Sequence, residues 1–484
     1  MDQPTLKRRL LRCRYLIHRA ARHRLGLTDK PRTDAGHDAF IREWHRAQKK
    51  AQQLLIDTTI ELESDLKRVT ETDKDSNDAY RYRFWLTLVA SCCETFVFLA
   101  FRPCDIPHLY KGPRHGSLAE QNVQSVLKIV NEINQSPYAI AFPLDFTRFS
   151  CTGDLLHVER RPDGQHVAVV EVKEGEVNEA FHQARAARTP EAWFEFFDKF
   201  GDKGIQQAQR VFKQDKEFFK RQARMRAEKG IHKDEDGTRV VIESEVPLEH
   251  FVPVVESVCS KARKGEYAVE VVDGCLMIAA VDATSKERAM IGEFDARLFA
   301  LNAFVAPGIG TESPQKIATE LAKVNLIDWL DGLNSIALAP LFVRPLRPRT
   351  FLDLAFGRIR LLCFFHPPAF IELLQSAGVR AELFSRKHTN RLRSVQGWRG
   401  NDLPPLHEGR AIAYYVGEVP FVVGSMRLHE MVFNWARPAS LAVHMADGIS
   451  RAAEVIIPGS PVSHKSKTAT DTDHGTRSSY SKSL

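Results

Sequence analysis

The run from Phe84 to Phe101, FWLTLVASCCETFVFLAF, leaves this chain few ways to fold. Apart from Glu94 it carries no charge, so its surface must leave water for either protein core or lipid. Its length sits at the lower edge of a membrane span. A glutamate near the middle would be costly in hydrocarbon, and no second run of this kind exists to pair with it. The segment therefore reads as a helix buried in a protein core, with no stable membrane association expected. The basic N-terminus lacks the apolar stretch and small-residue cleavage site of a secretory signal. The 8 cysteines form no CxxC pair and no zinc-like spacing, which suits a reducing compartment. A cytoplasmic location is expected.

A length of 484 residues implies two to four domains. Hydrophobic content of 43% with 27% charged residues excludes a fibrous or wholly disordered chain. The net charge of +7 permits an anionic partner without requiring one. Residues 1–110 read as a helical region, with an uninterrupted helix from about Asp38 to Val69 and a polar break at ETDKDSND, 71–78. RPCDIPHLYKGPRHG, 102–116, marks a boundary. The next region, 111–260, reads as helix (117–133), edge strand (138–149), hairpin, helices (178–188, 191–200 and 204–229) and a short buried strand, HFVPVVESV, at 250–258. Residues 261–458 read as a further α+β region, suited to recognising a substrate or partner. It has a hairpin about Asp273-Gly274 and closing strands in YYVGEVPFVVG. The tail 459–484, rich in Ser, Thr and Lys, reads as disordered. The class expected is mixed α/β (α+β).

Chemistry concentrates in Thr152–Gly175, TGDLLHVERRPDGQHVAVVEVKEG. With the Pro-Asp-Gly turn centred between Asp163 and Gly164, antiparallel pairing sets Asp154 opposite Lys173, with Glu171 two residues along on the same face. VAVVEV is apolar on both sides, as in a strand covered on both faces. Two carboxylates and an ammonium at the end of such a strand are costly unless compensated. Mg²⁺, which prefers oxygen ligands, is the natural compensation, with Mn²⁺ as a substitute. Such an ion polarises a phosphoryl oxygen and lowers the pKa of bound water, while the lysine neutralises charge developing on phosphorus. Those are the parts of a phosphodiester hydrolase.

Asp154 followed by Glu171-Val172-Lys173 at the end of the next strand resembles the PD-(D/E)xK nuclease superfamily, the restriction-endonuclease-like fold. The resemblance implies an αβββαβ core and metal-dependent cleavage of nucleic acid, DNA more than RNA. It also implies Asp154 and Glu171 as metal ligands and Lys173 as the catalytic lysine. Thr152-Gly153 stands where a proline often precedes the aspartate. Glu120 fits two roles: the acid of a capping box opened by Ser117, or the first-helix glutamate that in this family reaches the metal. In GIQQAQRVFKQ, 204–214, Ile205, Ala208 and Phe212 form an apolar stripe that continues to Phe219, with Gln206, Gln209, Arg210 and Lys213 opposite. Gln206 or Gln209, with Arg210, would approach the nucleic acid by the same resemblance. Restriction, repair or anti-phage defence follows only by analogy. A homodimer or a partner protein is compatible with this reading. The alternative is a catalytically inactive nuclease-fold module that binds nucleic acid or protein.

Basic clusters offer nucleic-acid contacts elsewhere. One is the N-terminal LKRRLLRCRYLIHRAARHR. The other, at 380–399, carries Arg386, Lys387, Arg391 and Arg393 with Phe384, His388 and Trp398 interspersed. A second acid-x-Lys, Asp65-Leu66-Lys67, falls in a helical pattern without a hairpin. KDEDG, 233–237, reads as a turn, and APGIGTES, 306–313, lacks the Gly-Lys-Ser/Thr of a phosphate loop.

Overall fold

Three helices open the chain: α1 (Gln3–Ala21), α2 (Asp34–Thr72) and α3 (Asn77–Ala100). The computed structural model describes residues 1–21, 34–100, 121–147, 154–161, 164–170, 172, 176–225, 230–234, 237–241, 244–265, 267–307, 309, 312–329, 339–396, 406–432 and 434–456. Leu6, Leu10, Cys13 and Ile17 of α1 recur at helical spacing, and all are buried against α2 and α3. The polar break ends α2 at Thr72, and the Ser76 hydroxyl accepts from the Ala79 N–H at the start of α3. α3 is the apolar run. Its length and mean hydropathy (1.4) would suit a membrane span, yet 61% of its most apolar stretch is buried within the protein. Tyr82, Trp85, Leu88, Cys92, Cys93 and Phe96 are all interior. The six described cysteines are free and buried, as small hydrophobes.

Next come α4 (Gln121–Ile133), then β1 (Ala139–Pro143), β2 (Leu155–Arg161) and β3 (Gly164–Val170), an antiparallel sheet in the order β1-β2-β3. Side-chain alternation divides its two faces. Ala141 and Leu155 pack with Val126 and Val130 of α4. Ile140, Phe142, Leu156, Val158 and Val169 join the main core, where the Phe142 ring stacks on Phe96 of α3 at 4.7 Å. The outer edge of β1 is occupied by Asn134, whose amide exchanges hydrogen bonds with both backbone groups of Ala141 (2.8 and 3.1 Å). α5 (Glu176–Ala187) and α6 (Pro190–Met225) follow. Gly201, at φ 49°, breaks α6 into two stretches, in accord with the expected separation near Phe200. A separate apolar cluster of Phe181, Ala184, Phe196, Ala208 and Val211 holds α5 to α6.

After the hairpin β4 (Gly230–Asp234) and β5 (Gly237–Val241), the segment expected as a buried strand is instead helix α7 (Val252–Ala262). The reason is legible: Val252, Val255, Val258, Cys259 and Ala262 repeat at helical spacing, and Pro253 sits in the first turn, where a missing N–H costs nothing. Of KDEDG, Glu235 and Asp236 lie outside the described residues, and the flanking Asp234 and Gly237 pair.

The remaining elements are β6 (Ala268–Val272), β7 (Leu276–Asp282), α8 (Lys286–Ala300), α9 (Pro314–Leu321), β8 (Ile327–Asp328), α10 (Ala339–Val343), α11 (Pro348–Ala355), β9 (Ile359–Phe365), α12 (Pro367–Ser376), β10 (Ala381–Leu383), α13 (Arg386–Gln396), β11 (Leu406–His407), β12 (Arg410–Val416), β13 (Val419–Val422), α14 (Ser425–Val432) and α15 (Pro438–Ile456). The sheet β6-β7-β9-β8 contains the hairpin expected at Asp273-Gly274. Both turn residues have positive φ (49° and 72°), and the Asp273 carboxylate accepts from Arg437 and from the Ala439 N–H at the start of α15. A second sheet, β10-β12-β11 with β13 on β12, includes the expected closing strands. One continuous hydrophobic cluster runs from Leu6 of α1 to Ile449 of α15. The architecture is mixed α+β with small antiparallel sheets. The boundary at 102–116 and the tail 459–484 lie outside the described residues.

Two stability predictions follow from this packing. A Cβ on Gly292 of α8 would lie 2.4 Å from Cγ1 of Val281 in β7. Gly292→Ala gains about 1 kcal/mol of helix propensity but overpacks a buried β-branched neighbour, a cost of about 1–3 kcal/mol. Net destabilisation is expected in a denaturant titration, with recovery when Val281→Ala is added. The second prediction concerns pH. Burial and the neighbouring Arg14 push the His18 imidazole down to about 4, although its ring nitrogen bonds the Phe342 carbonyl at 2.8 Å. Burial and Arg344 do the same to His250. A base whose folded pKa is depressed binds its proton first in the unfolded chain. Stability should therefore be whole above about pH 6.5 and fall as pH drops toward 4. In denaturation midpoints across that window, His18→Gln, which keeps a donor toward Phe342 and does not titrate, should flatten the decline.

Candidate active site

The ladder between β2 and β3 pairs Arg161 with Gly164 and Leu155 with Val170. Pro162 and Asp163 thus connect the strands, and the turn centre lies one residue earlier than the sequence reading placed it. The observed register pairs Leu155 with Val170, whereas Asp154 opposite Lys173 would require Leu155 opposite Val172. A displacement of two along the partner strand preserves side-chain parity, so the expected grouping by face does not depend on it. The strand is also less covered than expected. β3 is an outer strand of its sheet, and Val170 is 37% exposed, while Val167 and Val169 face the main core.

Asp154 stands at the entrance to β2. Its N–H donates to the Val170 carbonyl (2.9 Å), and its carbonyl accepts from the Leu144 N–H (2.8 Å). The Val172 N–H donates to Asp154 Oδ2 at 2.6 Å. An ionised acceptor makes this a strong bond, and it fixes the carboxylate against the backbone at the end of the third strand. Val172 is the residue between Glu171 and Lys173. Glu171, Lys173 and Glu120 themselves lie outside the described residues. The 3₁₀ turn Leu144–Phe146 that follows β1 also meets this point through the Leu144 N–H. Among the described residues no group of three His, Cys, Asp or Glu side chains is placed to hold a metal ion.

The other candidates are dispersed. On α6 the buried ridge is Gly204, Ala208 and Val211. The stripe is thus rotated from the expected Ile205–Ala208–Phe212, and Ile205 (44%) and Phe212 (50%) stand substantially exposed. Gln206, Gln209 and Arg210 are exposed as well. The inward-facing glutamine is Gln207, whose amide donates to Asn178 of α5. Helix α13 exposes Arg386, Lys387, Arg391 and Arg393, and Arg386 donates to the Glu408 carbonyl at 3.0 Å. The aromatic surface expected there is turned inward: Phe384 is buried beneath His388, their rings stacked at 4.3 Å. Trp398 lies outside the described residues. In the N-terminal helix, Arg14 is drawn inward too, donating to the carbonyls of Arg344 (2.9 Å) and Leu346 (2.6 Å). Burial lowers its pKa to about 10. Asp65 of the second acid-x-Lys is held by the N-terminal ammonium and by Arg68 within α2.

Compared with known protein families, curated proteins and solved structures, the chain matches none.

The bond from Val172 gives a direct check on this geometry. Asp154→Asn retains an acceptor oxygen, whereas Asp154→Ala leaves that N–H without it. The alanine variant should be less stable than the asparagine variant by about 1 kcal/mol in urea denaturation. Equal stabilities would show that the carboxylate does not hold the strand end.

Proposed function

We propose that this chain is a divalent-metal-dependent nuclease that hydrolyses phosphodiester bonds of nucleic acid, DNA in preference to RNA, in the cytoplasm. The observation that carries the reading is the Asp154 carboxylate seated on the backbone N–H of Val172, between Glu171 and Lys173 in the chain. The succession α4, β1, β2, β3, α5 supports it, as the order of a restriction-endonuclease-like core up to its second helix. The closing strand sought at 250–258 is helical and lends no support.

In this reading Asp154 and Glu171, with Glu120, hold Mg²⁺ or Mn²⁺, hard cations matched to carboxylate oxygen. When bound, the ion supplies Lewis-acid polarisation of a phosphate and an acidified water. The chain's own part is to position and to neutralise. The Val172 N–H fixes the Asp154 carboxylate before any ligand arrives, and Lys173 offsets negative charge growing on the phosphorus centre. A second reading, a non-cleaving module of the same fold, is favoured by that same hydrogen bond, since a carboxylate that ties down a strand end has a structural use.

Cleavage decides between them. Plasmid and oligonucleotide substrates should be cut with Mg²⁺ and spared in a chelator. Lys173→Ala and Asp154→Asn should each lower the rate about 100-fold or more. Metal-dependent cutting undiminished in Lys173→Ala would remove the lysine from the mechanism. Binding without cutting under any metal would establish the second reading.

A further inference from the structure

The second stretch of α6 carries a surface that neither its packing nor the hairpin site uses. Between Asp202 and Asp215 the helix has Lys203, Arg210 and Lys213 and no acid. With Gly204, Ala208 and Val211 turned inward, the outward face presents two adjacent ridges. One runs Ile205, Gln209, Phe212, Lys216, and the other runs through Arg210 and Lys213; all are exposed. Neither Arg210 nor Lys213 forms an ion pair among the described residues. Phe212 is half out of the core: one part of its ring packs on Phe181 and Trp193 (centroids 5.6 and 6.1 Å away), and half of its surface remains open. A phenylalanine with half its surface open, set among exposed cations that form no ion pair among the described residues, suits an anionic partner that also offers a flat apolar face.

We propose that this face of α6 binds single-stranded nucleic acid, with Arg210, Lys213 and Lys216 on successive phosphates and a base stacked on Phe212. Charge complementarity selects a polyanion, and the ring selects unpaired bases, because a duplex keeps its bases stacked inward and offers the helix only phosphates. The two ridges span about 15 Å at the helical rise, room for a few nucleotides. The inference rests on the nuclease reading and narrows it: the substrate enters as, or is opened to, a single strand.

The test reads binding, not cutting, with the full chain in a chelator. Fluorescence anisotropy is measured with a labelled oligo-dT single strand and with a duplex of equal length. The single strand should bind more tightly. Phe212→Leu, which keeps the contacts to Phe181 and Trp193 but removes the flat ring, should weaken it by about 10-fold and leave the duplex unchanged. Arg210→Ala with Lys213→Ala should reduce the dependence of log affinity on log salt by about 1.4 for the single strand. Equal affinity for both nucleic acids, or single-strand affinity untouched in both variants, overturns the proposal; a protein or a second copy of the chain would then be the occupant to seek. Cutting with Mg²⁺ by a protein indifferent to these changes fails this inference alone. Ridge-dependent binding by a protein that never cuts fails the nuclease reading alone.

Discussion

Burial of α3 is the constraint on which the rest of the structure depends. Its apolar surface is available on nearly every side, so it cannot be satisfied by a single neighbour. α1 and α2 cover part of it, α10 another part, and the Phe96 ring extends the contact to Phe142 in the β1-β2-β3 sheet. The meander is thus held by its inner face to the helical core and by its outer face to α4. A rigidly backed sheet places the ends of its strands reproducibly, which is what a site assembled at those ends requires.

At that end three chain segments converge through hydrogen bonds made by their backbones, over the buried Leu144 and Leu155 side chains. Leu144, after β1, donates to Asp154, before β2; Asp154 donates to Val170 of β3; and Val172 donates to the Asp154 carboxylate. Leu155 is paired with Val170, yet Asp154 also takes the Val170 carbonyl, so the regular ladder ends at this point. A strand end where the ladder stops leaves backbone groups for a side chain to satisfy, and an aspartate does so here. The same side chain is the one the sequence pattern assigns to chemistry, which makes Asp154 both a positioning element and the first candidate ligand.

Much of this was legible in the sequence because the signals were periodic or punctuated. The apolar run gives a buried helix, the polar break gives its start, and Asp273-Gly274 gives a hairpin; Gly201, which breaks α6, is seen only in the structure. The misreadings have physical causes. HFVPVVESV is rich in valine, a strand former, but the spacing of Val252, Val255, Val258 and Cys259 is helical, and tertiary packing follows spacing over propensity. The Pro-Asp-Gly motif locates the turn but not its centre, and the observed pairing of Arg161 with Gly164 moves the register by one turn position. On α6 the smaller Val211 is fully buried while the larger Phe212 is half exposed, which rotates the stripe from the one that side-chain size suggests. At the proposed site the sequence gives order along the strands but not the hydrogen bond from Val172 to Asp154 at their end.

The central claim is that Asp154 and Glu171 form one metal site at the base of the β2–β3 hairpin. A crystal grown or soaked with Mn²⁺ and measured at the manganese edge tests it most directly. The account predicts an anomalous peak bonded to carboxylate oxygens of both Asp154 and Glu171, at about 2.0–2.2 Å. A peak elsewhere on the chain, or Asp154 and Glu171 too far apart to share an ion, would contradict it.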